Sequence, residues 1–304
     1  MKRILKFLTS IKKIDYLYDQ VTNDYKNPKM IMGKLLAHNL SKIDVVQRLS
    51  DVEFQVFSQW GDDGIIQYLI SKIDFPNRTF IEFGVENYKE SNTRFLLLNN
   101  NWSGLVLDGS KQCVEFIQND SVTWTHELFA KHAFITKENI NGLLQKEFLD
   151  KGFHKEVGIL SVDIDGNDYW VWNEINVIDP IVVIVEYNSF FSDNRAISIP
   201  YSANFVMTSS KPYYWGASLN AFCHLAEIKG YDFVGCNSNG NNAYFIKKNK
   251  IGSMKALSSE QGFVQGKFRM NFKEDGSPFT SKEIREGLIG HSVINVIDNN
   301  DELL

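Results

Sequence analysis

The sequence predicts an α/β fold, a mostly parallel sheet covered on both faces by helices and ending in an antiparallel hairpin, with an N-terminal helical extension. Three observations predict it. The near-continuous apolar runs VGILSVDID (157–165) and IVVIVEYN (181–188) end in polar residues, as strands buried on both faces do when their carboxyl ends face a ligand. From Phe54 onward such runs alternate with helix-patterned segments. Finally, YDFVGCN (231–237) and AYFIKK (243–248) flank the turn residues SNGNN, which join two strands as a hairpin.

Taken in order, residues 1–52 read as a helical extension. Ile4, Leu5, Leu8, Ile11 and Ile14 recur at helical spacing between Lys2, Arg3, Lys6, Lys12 and Lys13. Asp15 and Asp19 dilute that basic charge, which favours packing on the main domain or a second subunit over contact with an anionic membrane. The main domain spans 53–250. A helix over Gly64–Ile73 leads to a strand at Thr79–Phe83, a sharp turn at Gly84, and a helix starting near Asn92 and Thr93. A second strand ends at Asp108 and Gly109, and a helix covers Lys111–Asn119. Val122–Trp124 is expected as a third strand, and Asn139–Leu149 and Asp168–Ile175 as helices around the two apolar runs. Ser189–Trp215 is too long for an ordinary connection and holds seven aromatic residues, so it reads as a lid-like insertion. Its aromatic faces suit sugar stacking or, equally, a small secondary core. A helix over Ala217–Lys229 precedes the hairpin, and the polar segment 251–304 is expected to be peripheral.

Composition narrows the function. The 304 residues are 43% hydrophobic and 23% charged with net charge −5, which disfavours a nucleic-acid partner. Cys113, Cys223 and Cys236 lack metal or disulfide spacing, which fits a reducing compartment. No apolar run approaches the ~20 residues of a membrane span. A cytoplasmic protein is expected, with peripheral contact at the inner membrane and homo-oligomerisation left open. His126, His132, His154 and His224 show no ligand spacing and read as structural.

The stretch Thr79–Ser110 forms half of a nucleotide site, with Glu82 closing one strand and Asp108 the next. A dinucleotide pyrophosphate needs G-x-G-x-x-G. Here only Gly84 is present, and Glu86 and Tyr88 stand near the places of further glycines, where a carboxylate repels a pyrophosphate. S-adenosylmethionine has no phosphate, and its ammonium and sulfonium groups tolerate nearby acids. The loop therefore favours that cofactor over NAD.

The motifs FSQWGDDGII (57–66), FIEFGVENYKESNT (80–93), GLVLDGS (104–110), LSVDIDGNDYWVW (160–172), VIVEYN (183–188) and GASL (216–219) stand in the same order as in a known group. The chain resembles class I S-adenosylmethionine-dependent methyltransferases, whose sheet ends in an antiparallel hairpin. More narrowly it resembles FkbM-like methyltransferases and bacterial relatives associated with surface polysaccharides. The resemblance covers about residues 54–248. It implies that Glu82 and Gly84 cradle the methionine end with Asn92 and Thr93 nearby. Asp108 would hold the ribose hydroxyls, Gly109 and Ser110 would lie along the adenosine, and Phe134 would flank the adenine. Asp163 would close the site, with Gln59 and Asp63 on the cofactor side. Trp60 and Asp62 stand where relatives have Asn and Glu.

The remaining acids suggest the chemistry. Asp163, Asp165, Asp168 and Glu186 cluster at the ends of adjacent strands. Asp165 is the candidate general base for methyl transfer to oxygen, with Glu186 as its partner; the same pair would be the metal ligands if Mg²⁺ takes part. The alternative is structural, with Asp163 and Asp168 capping backbone amides and Glu186 pairing with a buried base. The expected acceptor is a sugar or sugar-linked small molecule, nucleotide-linked sugars included, in capsule or O-antigen-type glycan synthesis. The rival functions are an NAD-dependent nucleotide-sugar oxidoreductase or epimerase, and a non-catalytic S-adenosylmethionine-binding protein.

Overall fold

The computed structural model describes residues 28–191, 194–208, 213–266 and 277–304. The basic helix expected over residues 4–14 lies outside the described residues. Residues 28–40 form helix α1. The main domain follows, with α2 (Asp62–Lys72), β1 (Thr79–Phe83), α3 (Arg94–Asn100), β2 (Ser103–Asp108), α4 (Lys111–Asn119) and the single turn α5 (Val122–Thr125). Next come β3 (Leu128–His132), α6 (Ile140–Glu147), β4 (Glu156–Val162), α7 (Asp168–Glu174) and β5 (Asp179–Glu186). After the short β6 (Ile197–Ser198) come α8 (Leu219–Lys229), β7 (Tyr231–Cys236) and β8 (Asn242–Lys247). The chain closes with α9 (Ser259–Gly262), α10 (Ser281–Leu288), β9 (Ser292–Asn295) and β10 (Asn300–Leu303).

Seven strands form one sheet in the order β3-β2-β1-β4-β5-β8-β7. Neighbours from β3 through β5 pair in parallel, and β8 runs antiparallel between β5 and β7. This is the expected Rossmann-like arrangement, a mostly parallel sheet ending in an antiparallel hairpin. Alternation along each strand divides the core in two. Ile81, Phe83, Leu105, Leu160 and Val183 face α6, α7 and α8, while Phe80, Val106, Ile159 and Val182 face α2, α3 and α4. The chain reverses direction across the sheet between β1 and β4, and the crevice at their carboxyl ends is where such sheets hold ligands.

The expected strand at Val122–Trp124 is instead the helical turn α5, and the third strand begins at Leu128. Asp120 accepts from the Val122 amide, and the Thr123 and Thr125 hydroxyls donate back into the turn, so local polar groups prevail over the β-branched pattern. Trp124 is exposed, which removes the hydrophobic gain a strand would have offered.

A second, three-stranded sheet in the order β10-β9-β6 ties the segment 251–304 to the 189–215 insertion. Phe190, Phe191, Ile197 and Tyr213 pack there against Ile284, Leu288 and Val293. No helix among the described residues is long and apolar enough to cross a membrane.

Candidate cofactor and catalytic site

The loop after β1 is built around one unavoidable glycine. Gly84 has φ +70°, and a Cβ there would lie 1.7 Å from the Asp163 carbonyl oxygen. The β1 loop and the end of β4 thus meet backbone to backbone. Beyond it, Glu86 and Tyr88 also adopt left-handed φ of 46° and 61°. The loop keeps glycine-like backbone at these two positions although side chains occupy them. Tyr88 is fully buried, and its hydroxyl pairs with the Thr93 hydroxyl at 2.9 Å.

Two acids hold this loop. Glu82 accepts from the Asn92 amide (2.8 Å), the Thr93 amide (3.1 Å) and the Thr93 hydroxyl (2.5 Å), pinning the start of α3. Burial raises its pKa to about 6 despite those donors. Asp108 accepts from the Glu86 amide with one oxygen and the Ser110 amide with the other, both at 2.7 Å. Its unused lone pairs remain for a ligand hydroxyl.

A cavity of about 790 Å³ opens at this crevice, toward the upper part of the range for small-molecule sites, about 300–1,000 Å³. Ten of the expected site residues line it: Gln59, Glu82, Gly84, Asn92, Asp108, Gly109, Phe134, Asp163, Asp165 and Glu186. Thr93 and Ser110 do not. Thr93 is fully buried under Glu82, and Ser110 turns away to cap α4 by accepting from the Cys113 amide. Asp63 is likewise committed elsewhere. One of its oxygens accepts from the amides of Val56, Phe57 and Ser58 at 2.7–2.8 Å, folding the 54–61 segment over the start of α2. That turn places Gln59 and Trp60 on the cavity wall.

The sequence missed Asn167, Asn241 and Asn242 as lining residues, while Phe205 is one of the insertion's aromatics expected either to face a ligand or to join a secondary core. Asn242 opens the antiparallel β8 and pairs with Glu186 at the end of β5, so the hairpin turn necessarily lies at the ligand-bearing edge. An antiparallel strand beginning where its parallel neighbour ends was the available signal. Asn167 caps α7; its amide donates to the Ser202 carbonyl, while its Oδ1 is buried without a protein donor. Among the seven aromatics of the insertion, Phe205 alone lines the cavity, while Phe190, Phe191, Tyr213 and Trp215 are buried. The insertion therefore puts most of its aromatic surface into a secondary core rather than toward a ligand.

Asp163, Asp165 and Glu186 bring carboxylate oxygens within 4.8 Å of one another, a spacing that suits a divalent cation. Burial, together with the neighbouring charges of Asp165 and Asp168, raises the Asp163 pKa well above the ordinary range. Burial and the charges of Asp163, Asp165 and Asp168 do the same for Glu186, whose Oε2 is buried with no donor beside it. The Asp163 charge thus disfavours the ionisation of its neighbour Glu186. Asp165 is accessible from the cavity yet recessed in it, and desolvation, then Glu86 and Asp108, raise its pKa. It adopts left-handed φ 56°, which aims it away from the β4 axis. Asp168 follows the structural alternative, capping the Ile164 and Gly166 amides at 2.8 and 2.9 Å, with its pKa pushed to about 7 by burial.

The charge balance of the cavity is one-sided. Seven carboxylates line it (Glu82, Glu86, Glu90, Asp108, Asp163, Asp165 and Glu186), and no lysine or arginine does among the described residues.

No family model matches the chain, and no curated protein matches it. Among solved structures it is similar to M. capricolum TrmK in complex with S-adenosyl-homocysteine, at 13% identity and TM-score 0.33, covering 62% of this chain and 70% of that one. It is also similar to an S-adenosylmethionine-dependent methyltransferase from Clostridium acetobutylicum, at 10% identity and TM-score 0.38, covering 61% and 90%. A third is the plantazolicin methyltransferase BamL with S-adenosyl-homocysteine, at 10% identity and TM-score 0.33, covering 73% and 70%.

Proposed function

We propose that the chain is an S-adenosylmethionine-dependent O-methyltransferase acting on an uncharged, hydroxyl-rich acceptor of the sugar class. The observation that carries this reading is the cavity at the β1–β4 crossover, lined among the described residues by seven carboxylates and no basic residue. A dinucleotide or a nucleotide-linked sugar would bring a pyrophosphate into that field unaided, which counts against the oxidoreductase reading and against nucleotide-linked acceptors. A cofactor bearing a sulfonium and an ammonium fits it.

When bound, S-adenosylmethionine supplies an electrophilic methyl on a positively charged sulfur. Asp108 would take the ribose hydroxyls with the lone pairs its two amide partners leave free. Glu82 sets the loop and the start of α3 against the methionine end. Asp165, the most accessible of the clustered acids, would accept the acceptor's hydroxyl proton as oxygen attacks the methyl and the carbon–sulfur bond breaks. Asn167, Asn241, Asn242 and Gln59 offer amides to other hydroxyls, and Trp60 and Phe205 offer ring faces. The motif resemblance supports the FkbM-like subgroup and a role in surface-glycan synthesis. Asp163, Asp165 and Glu186 could instead hold a divalent cation that acidifies the hydroxyl. Activity that survives chelation would favour Asp165 as the base.

Titration calorimetry with S-adenosylhomocysteine tests the cofactor assignment. Asp108→Ala should weaken binding at least ~10-fold, whereas unchanged binding would remove Asp108 from the ribose site. Asp165→Asn should leave cofactor affinity intact and lower kcat by roughly 10²–10⁴.

A further inference from the structure

Helix α1 is apolar on two opposite faces. One face is in use: a Cβ on Gly33 would come within 2.6 Å of the Val56 side chain and 2.9 Å of the Phe95 ring, and Leu40 is buried one helical repeat along. The other face carries Ile31, Met32, Leu35 and Leu36, whose spacing sets them on one stripe. All four are exposed, Ile31 by 61% and Leu35 by 56%. Ile43 and Val45 continue the exposed apolar surface just past the helix. A contiguous patch of this kind marks a surface that meets a partner.

Charge indicates which partner. Residues 25–43 contain no acid, Lys29, Lys34 and Lys42 accompany the stripe, and the first acid past it is Asp44, between Ile43 and Val45. Residues 1–43 hold nine basic and three acidic residues, whereas the rest of the chain holds 23 and 34. The rest of the chain is thus net acidic, while the end that bears the exposed stripe is net basic. A second copy on the same face would set lysines against lysines. The chain's own N-terminal segment, with Lys2, Arg3, Lys6, Lys12 and Lys13, would do the same. An anionic lipid surface accepts both features, taking apolar side chains into the acyl boundary and lysines to headgroup level.

We propose that α1 docks the protein on an anionic lipid surface through Ile31, Met32, Leu35 and Leu36, with Lys29, Lys34 and Lys42 among the headgroups. This stands independently of the methyltransferase reading. Its consequence for the site is positional. α1 packs on Val56, in the segment that carries Gln59 and Trp60 on the cavity wall, so a docked helix holds that wall close to the lipid.

Flotation of the full chain with vesicles of phosphatidylcholine, alone or mixed with phosphatidylglycerol, tests the proposal. The protein should float with the mixed vesicles at low salt, be released by high salt, and ignore the neutral ones. The double variant Ile31→Ser/Leu35→Ser should lower binding at least ~10-fold. Lys29→Glu/Lys34→Glu should lower it by roughly fivefold per lysine or more. Both variants alter exposed side chains, so their melting temperatures and cofactor affinity should match the parent. Failure of the parent to float with anionic vesicles at low salt, or variants that float like the parent, would overturn the proposal. So would a dimer in sedimentation that Ile31→Ser/Leu35→Ser converts to monomer, because a second copy would then cover the stripe.

Discussion

A methyl group at Gly84 would collide with the Asp163 carbonyl oxygen at a backbone angle that L-residues avoid, so Gly84→Ala should cost about 3 kcal/mol or more, read from urea denaturation. Its neighbour Glu86 gives a sharper functional test. After desolvation, the Glu86 charge is the largest influence raising the Asp165 pKa. If Asp165 is the base, activity rises with pH as that carboxyl ionises. Removing a like charge favours ionisation, so Glu86→Gln should move the acid limb of the kcat/KM profile to lower pH. A limb that stays in place would mean the base is another group. The sequence exposes the absence of the expected glycines. It does not reveal that Glu86 and Tyr88 keep the left-handed backbone anyway, because the compensation comes from the hydrogen bond that the Glu86 amide donates to Asp108 and from the buried Tyr88 ring.

Between elements, the β7–β8 hairpin is locked to α2 through Asp62. This buried carboxylate accepts from Asn237, Asn242 and Tyr244, and burial raises its pKa against those donors. Asp62→Ala would leave three donors unpaired and should cost about 3 kcal/mol by urea denaturation. It should also weaken ligand binding, because Asn242 and the neighbouring Trp60 share the cavity wall. A stability change below about 1 kcal/mol would show that water replaces the carboxylate and that the lock is weak. The central elements were legible because buried parallel strands leave unbroken apolar runs, as at 157–162 and 181–185. β3 was not, since an edge strand that fully buries only Leu128 and Ala130 and carries Lys131 and His132 shows little pattern. The role of the insertion's aromatics stays open in the sequence. They signal burial and stacking equally well, and only the pairing of β6 with β9, some 95 residues later, decides that most are buried. Asp63, a cofactor-side contact by resemblance, proved to be a backbone clamp, a distinction set by three amides that no residue pattern displays.

Across the whole molecule, the buried acids set an unusual dependence of stability on pH. Asp63 and Glu82 are raised to about 6 and Asp168 to about 7, and Asp163 and Glu186 are raised well above the ordinary carboxyl range, all chiefly by burial. For each, the folded protein binds the proton more tightly than the unfolded chain. That contribution to stability is complete below the unfolded carboxyl range and is lost as pH rises through the folded value. Glu82 alone corresponds to about 2 kcal/mol. Glu138 and Glu302 act in the opposite sense through hydrogen bonds from Tyr201, and from Asn295 and Arg195, but they lie at the solvent boundary where screening weakens them. The melting temperature of the ligand-free protein should therefore fall between about pH 5 and about pH 8, against the usual trend. A cationic ligand in the cavity favours the ionised form of Glu82, Asp163 and Glu186 that burial disfavours. S-adenosylmethionine should accordingly raise the melting temperature more at about pH 8 than at about pH 5, which thermal shift measurements at the two pH values will read directly. A melting temperature that is flat or rising over this interval would mean that the cavity acids ionise freely in the folded state, and that the one-sided charge of the site costs the empty protein nothing.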